Sequence, residues 1–237
     1  MINEEIVHVN GQPQKLVVFL HGYIDSAPAL DRRLQPLLDH LPDSAVHIPQ
    51  APEICEILDN KRQWYSMHRF DPDDARKFVP TMEECAEIYN RMGLGLAEAF
   101  SYLNPYLQER LDDYGLEAKD LYVCGFSQGA MVAIYVSLMQ DEKIGGCISF
   151  SGIITPHSYL LKHARTAPDT LLIHGNEDNL VRPEAMAFTK RQLQQIGCDV
   201  QTCVIPGGQH RVTEEGLLRA ACFINQNFTC LLYTSDA

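Results

Sequence analysis

Short apolar runs alternating with longer amphipathic segments constrain this chain more than any other feature of its sequence. The runs are 16–20 (LVVFL), 45–49 (AVHIP), 121–125 (LYVCG), 146–150 (GCISF), 170–174 (TLLIH) and 200–205 (VQTCVI). They are rich in β-branched or aromatic residues, and most run into Gly, Pro or Ser, as buried strands do. A strand wetted on one face alternates apolar with polar residues. Near-continuous apolarity instead requires cover on both faces, the condition of a parallel sheet.

Helical periodicity fills the intervals. Segment 28–40 carries leucines at 30, 34, 37 and 38, with Leu41 just beyond. A long pattern over 82–114 contains Asn104-Pro105, where a kink or division is expected. Segment 127–140 is apolar nearly all round, so it predicts a buried helix. Segments 183–196 and 213–228 complete the series, the former opening at Pro183 and stopping at Gly197. Strand and helix thus alternate from 16 to 228. That order predicts an α/β fold in one domain, 1–228: a mostly parallel, doubly wound sheet with helices on both faces. Residues 6–9 leave room for one further strand. Residues 51–81 fit neither period and read as a loop insertion at the strands' C-terminal side, where such sheets build sites. The closing stretch 229–237 continues no pattern and reads as a non-native or disordered tail.

Composition narrows the partners. A net charge of −12 disfavours nucleic acid and anionic membranes. No apolar run reaches the ~18 residues of a membrane span, so no stable membrane insertion is expected. The start MINEEIVHVN is acidic and polar, unlike a secretory signal. The eight cysteines include no C-x-x-C pair, and several sit inside apolar runs. They read as reduced and structural, consistent with a cytoplasmic protein, with a Cys198–Cys203 bridge as the alternative.

The chemistry concentrates in VCGFSQGA, 123–130, a G-x-S-x-G motif placed between a strand and a helix. This is the context of a nucleophile elbow: a tight turn that lifts the serine hydroxyl above the sheet, with glycines where neighbouring backbone comes close. Taken alone, Ser127 reads either as a nucleophile or as a helix N-cap. Later strands supply two candidate partners in the order an elbow requires. Asp178 follows the run 170–174, and His210 lies in the Gly-rich loop after 200–205. In that arrangement His210 is the general base and Asp178 its orienting acid. Glu177 is the second-ranked acid. The backbone N–H groups of Gln128 and Tyr23 are the expected oxyanion donors, Tyr23 lying in the loop after the first run. No H-E-x-x-H, zinc-spaced Cys/His pair or EF-hand loop occurs, and GLGLAE at 93–98 lacks the third glycine of a dinucleotide fingerprint. Neither metal nor cofactor is therefore expected.

The stretches LHGYIDSA, PQAP, QWYS, GFSQGA, IHGNEDNLV and GGQH together resemble the phospholipase/carboxylesterase family of α/β-hydrolases. The resemblance implies a cytoplasmic, cofactor-free hydrolase of carboxylic esters or thioesters, with Ser127, Asp178 and His210 as triad and Tyr23 and Gln128 as oxyanion donors. It also allows a homodimer. The family's H-G-x-G-D reads H-G-Y-I-D here, so Ile24 replaces a glycine and is strained if that position needs positive φ. His21 and His174 read as scaffold residues. Trp64 and Tyr65 are candidate substrate-binding residues, with packing of the insertion as the alternative. The modest insertion predicts a preference for short to medium acyl chains. The competing expectations are a non-catalytic ligand-binding protein of the same fold and a long-chain lysophospholipase or acyl-protein thioesterase.

Overall fold

The structure, a computed structural model, describes residue 2 and residues 4–226. The strands are β1 (Glu5–Asn10), β2 (Lys15–Leu20), β3 (Ser44–Pro49), β4 (Glu53–Ile54), β5 (Arg62–Gln63), β6 (Leu121–Phe126), β7 (Gly146–Phe150), β8 (Thr170–Gly175) and β9 (Val200–Ile205). Seven of them form one sheet in the order β1-β3-β2-β6-β7-β8-β9. β1 is antiparallel to β3, and every other pairing in that sheet is parallel. All six apolar runs are strands, within a residue of their expected limits.

The helices are α1 (Ala27–Asp31), α2 (Gln35–Leu38), α3 (Met82–Asn90), α4 (Gly93–Tyr114), α5 (Gln128–Leu138), α6 (His157–His163), α7 (Glu184–Ile196) and α8 (Glu214–Ile224). They divide between the two faces of the sheet, as the side chains of β2 illustrate. Leu16, Val18 and Leu20 enter a core with Leu103 of α4, Met131 of α5 and Phe188 of α7. Val17 and Phe19 enter the opposite core with Leu30 of α1, Leu37 of α2 and Leu217 of α8. The period-2 alternation of a strand thus feeds two apolar layers. Cys198 belongs to the first layer and Cys203 borders the second. This separation explains why both are free thiols and not the bridge held open above.

Two expected helices are divided. The 28–40 segment forms α1 and α2, because Pro36, in the first turn of α2, has no N–H to offer a preceding turn. Leu30, Leu34, Leu37 and Leu41 nevertheless all point into the core. The 82–114 segment breaks before Gly93, not at Pro105, which lies inside α4. Gly93 and Gly95 weaken helix propensity there, whereas Leu103, Tyr106 and Leu107 bury the helix around Pro105. The 213–228 helix is described to Ile224, with Thr213 capping its first turn. Its expected end and the stretch 229–237 lie outside the described residues. Among the described residues no helix is long and apolar enough to cross a membrane.

The antiparallel edge strand β1 is fastened by one carboxylate. Glu5 accepts from Arg110 at 2.9 Å and lies 2.7 Å from the His47 ring, with the Tyr106 hydroxyl on the same oxygen as His47. Burial alone would raise its carboxyl, but hydrogen bonds from His47 and Tyr106 and the charges of His47 and Arg110 bring it to about 2, against an ordinary 4.5. Its folded value is depressed, so its contribution is complete above pH about 4.5 and lost as pH falls towards about 2. Glu5→Gln should therefore melt below the parent protein at neutral pH. Circular-dichroism melts across a pH series should show that gap narrowing through the same window.

Candidate active site

β6 ends in a turn that leaves no room for side-chain carbons. A Cβ on Gly125 would stand 2.2 Å from the Gly129 carbonyl oxygen, and one on Gly129 would stand 2.3 Å from that of Leu20. The two glycines let the N-terminus of α5 sit directly on the ends of β2 and β6. Between them Ser127 adopts φ 54° and ψ −115°, a strained conformation for a residue with a Cβ. Its N–H bonds the Phe150 carbonyl at 2.9 Å, and its carbonyl accepts from Ala130 and Met131. The Ser127 hydroxyl caps no N–H of α5. It lies 2.9 Å from His210 Nε2.

His210 Nδ1 lies 2.7 Å from Asp178 Oδ2. That contact places the imidazole proton on Nδ1 and leaves Nε2 to accept from the serine. Asp178 is buried, and its other oxygen accepts from the N–H groups of Leu180 and Val181, each at 2.9 Å. Burial favours the protonated acid. Hydrogen bonds from His174, His210 and the Val181 N–H, with the charge of His210, outweigh it and hold the carboxyl well below the usual carboxylate range. His174 is buried and donates to the Val181 carbonyl at 2.9 Å, bracing the loop that carries Asp178. Glu177 is exposed and uses its N–H on the Gly208 carbonyl, which fixes the loop that leads to His210.

The loop after β2 approaches the same point. Neither the Tyr23 nor the Gln128 N–H is engaged by a hydrogen bond among the described residues. Ile24 has φ 57°, so the position where the family carries glycine is left-handed here. A β-branched side chain costs about 1–2 kcal/mol in that region. His21 secures the entrance to the turn. Its Nδ1 donates to the Gly22 carbonyl at 2.8 Å, and its Nε2 accepts from the Ala51 N–H at 3.1 Å. Burial pushes this imidazole down to about 4, so it is neutral and can keep both bonds.

Of the two readings of Trp64 and Tyr65, packing fits the structure better, since neither lines the cavity beside Ser127. Both side chains are fully buried. The Trp64 indole donates to the His21 carbonyl at 2.7 Å, and the Tyr65 hydroxyl is in contact with the sulfurs of Met92 and Met131. Packing of the insertion onto the body is their role. The side chain of Gln128 completes this seam: its Oε1 accepts from the Trp64 N–H at 2.9 Å and its Nε2 donates to the Tyr65 carbonyl at 2.8 Å. Nothing in the sequence signals this role for the Gln128 side chain.

The cavity at Ser127 and His210 has a volume of about 470 Å³. Ile24, Ile57, Met67, Met131 and Val181 supply apolar wall, and the charged turn 71–77 supplies Asp71, Asp74, Arg76 and Lys77. Asp71 and Arg76 form a buried ion pair at 2.5 Å. The sequence carried no signal for it beyond a charged turn. A separate cavity of about 540 Å³ along β9 and α8 contains none of the candidate residues.

Comparison with known proteins places this site in context. Acyl-protein thioesterase 1 of Saccharomyces cerevisiae is 23% identical over 228 residues, covering 91% of this chain and 94% of the yeast protein. That of Yarrowia lipolytica is 26% identical over 174 residues, 70% of each chain. Among solved structures, esterase PE8 superposes with a TM-score of 0.79 at 27% identity, covering 94% of this chain and 97% of its own. SOBER1 of Arabidopsis thaliana shares the fold, with a TM-score of 0.71 at 20% identity over 90% of this chain and 98% of its own. The profile of the phospholipase/carboxylesterase family matches residues 1–228, and with this fold beneath it the chain belongs to that family of α/β-hydrolases.

Proposed function

We propose that this chain is a serine hydrolase that cleaves carboxylic esters or thioesters of short to medium acyl chains through an acyl-enzyme on Ser127. The observation that carries the reading is the unbroken relay from Ser127 Oγ through His210 to Asp178, at 2.9 and 2.7 Å. Distances of this kind are those that a nucleophile, base and orienting acid require.

The chemistry follows from the geometry. Ser127 Oγ attacks the carbonyl carbon while its proton passes to His210 Nε2. The carbonyl oxygen becomes an oxyanion, received by the Tyr23 and Gln128 N–H groups. His210 returns the proton to the leaving alcohol or thiol as that bond breaks. Water then enters by the same route, giving a proton to His210 and hydroxide to the acyl carbon, and Ser127 leaves with that proton as the acid is released. Asp178 stays ionised throughout and stabilises the imidazolium. No cofactor or metal enters these steps.

The wall of the cavity supports the chain-length preference. Each methylene buried against apolar surface gains about 0.8 kcal/mol. The apolar wall gives way to Asp71, Asp74, Arg76 and Lys77, where further methylenes would gain nothing and would obstruct solvation of charge. The names of the yeast relatives favour a second reading, an acyl-protein thioesterase.

A fluorophosphonate probe should label folded protein at Ser127; absence of label there favours a non-catalytic binding protein. Ser127→Ala and His210→Ala should each lower kcat by about 10⁶-fold with melting temperatures preserved, and Asp178→Asn should lower kcat by about 10⁴-fold. Rates on p-nitrophenyl esters from acetate to palmitate should peak at short or medium length. A palmitate optimum would select the thioesterase reading.

A further inference from the structure

The oxyanion loop holds a strained β-branched residue, Ile24, and such strain persists only where neighbours enforce it. Its two flanks are secured in different ways. On the far side, the Asp25 carbonyl accepts from the Arg62 N–H at 2.9 Å, and its carboxylate takes Arg33 at 2.6 Å and the Ser26 N–H at 2.9 Å. On the near side stands Tyr23, whose N–H is the second donor of the oxyanion hole proposed above. Its hydroxyl donates to Glu56 Oε1 at 2.8 Å.

Glu56 gathers more than this one group. Oε1 also accepts from the His68 N–H at 2.8 Å, and Oε2 accepts from the Ser66 hydroxyl. The Glu56 N–H donates to Gln63 at 3.2 Å. A single carboxylate therefore joins the oxyanion loop to the 66–68 stretch of the insertion that carries it. Burial would raise the Glu56 carboxyl, but the bonds from Ser66, His68 and Tyr23 outweigh it, so the group is held ionised. Burial and the bond to Glu56 raise the Tyr23 hydroxyl, which stays a donor. Both residues border the cavity that contains Ser127.

We propose that Glu56 is a positioning residue for the oxyanion hole: through the Tyr23 hydroxyl it holds the Tyr23 N–H at the distance the developing oxyanion requires. The inference rests on the hydrolase mechanism proposed above, with Ser127 as nucleophile. Glu56 touches no reacting atom. Its effect should fall on the transition state and leave substrate affinity nearly intact.

The test is steady-state kinetics on p-nitrophenyl butyrate, with inhibition by a trifluoromethyl ketone whose serine adduct carries an oxyanion. Glu56→Ala and Tyr23→Phe should each lower kcat by roughly 10- to 50-fold, less than complete loss of a donor, with KM changed by less than about threefold. The ketone should weaken by the same factor as kcat. The double variant should be no slower than either single one, because both remove one linkage. Glu56→Gln keeps an acceptor for Tyr23, so its rate should fall between Glu56→Ala and the parent; this variant and Tyr23→Phe carry the test if Glu56→Ala does not fold. Unchanged kcat, effects that multiply in the double variant, or a loss confined to melting temperature would overturn the proposal. Failure of the probe to label parental Ser127, or full activity of Ser127→Ala, would overturn the hydrolase mechanism and this inference together. Normal labelling with a fully active Glu56→Ala would overturn only the role of Glu56.

Discussion

Backbone meets backbone where β6 turns into α5, and the rest of the site depends on that contact. Gly129 lies against the carbonyl oxygens of Leu20 and His21 at distances no Cβ could tolerate, and Gly125 lies equally close to Gly129. Helix α5 is consequently seated on the sheet with its first N–H groups directed at the ends of the strands, where negative charge is best received. Ser127 has to occupy positive φ in this turn, and the strain lifts its hydroxyl out of capping geometry towards His210. The parallel sheet does the remaining positioning. β2, β6, β8 and β9 all end at one edge, so the loops bearing Tyr23, Ser127, Asp178 and His210 converge without long excursions of the chain.

Around this centre the insertion 51–81 is fastened at several points, among them the Gln128 amide, the Trp64 indole on the His21 carbonyl, and Glu56 on Tyr23. Each of these joins a residue of the insertion to a residue adjoining the elbow or the oxyanion loop. The buried Asp71–Arg76 pair adds charge to the cavity wall. Arg76 also pairs with Asp74 at 2.7 Å, so loss of Arg76 would strand the buried Asp71 carboxylate, whereas loss of Asp71 would leave Arg76 a partner.

The sheet was legible because a strand covered on both faces must be apolar throughout, and the runs from LVVFL to TLLIH have that property almost without interruption, whereas VQTCVI, the edge strand β9, is only partly covered. The candidate triad was legible for a topological reason: in a parallel sheet, residues just past successive strands share an edge whatever their separation in the chain. Ile24 was also readable, because an L-residue in a glycine position predicts its own backbone strain, and φ 57° is that strain. Helix breaks were less legible. Periodicity reports the face that points inward, and Leu30 to Leu41 keep one inward face across the break that Pro36 imposes. Trp64 and Tyr65 were open to two readings because an aromatic pair in a polar loop looks the same whether it lines a cavity or fills a core. Glu56 gave no signal, since its bonds to Tyr23, Ser66 and His68 depend on how the insertion folds back.

The Gln128 side chain recognises the main chain of Trp64 and Tyr65 and not their side chains. A tether of that kind is indifferent to composition. Any insertion that brings an N–H and a carbonyl past the elbow in the same order can be held by the same amide. The cavity-facing residues of 51–81 can therefore diverge without disturbing the nucleophile's turn. Glu56 apart, the wall that 51–81 gives the cavity and the geometry of the elbow become separable properties of one small sheet.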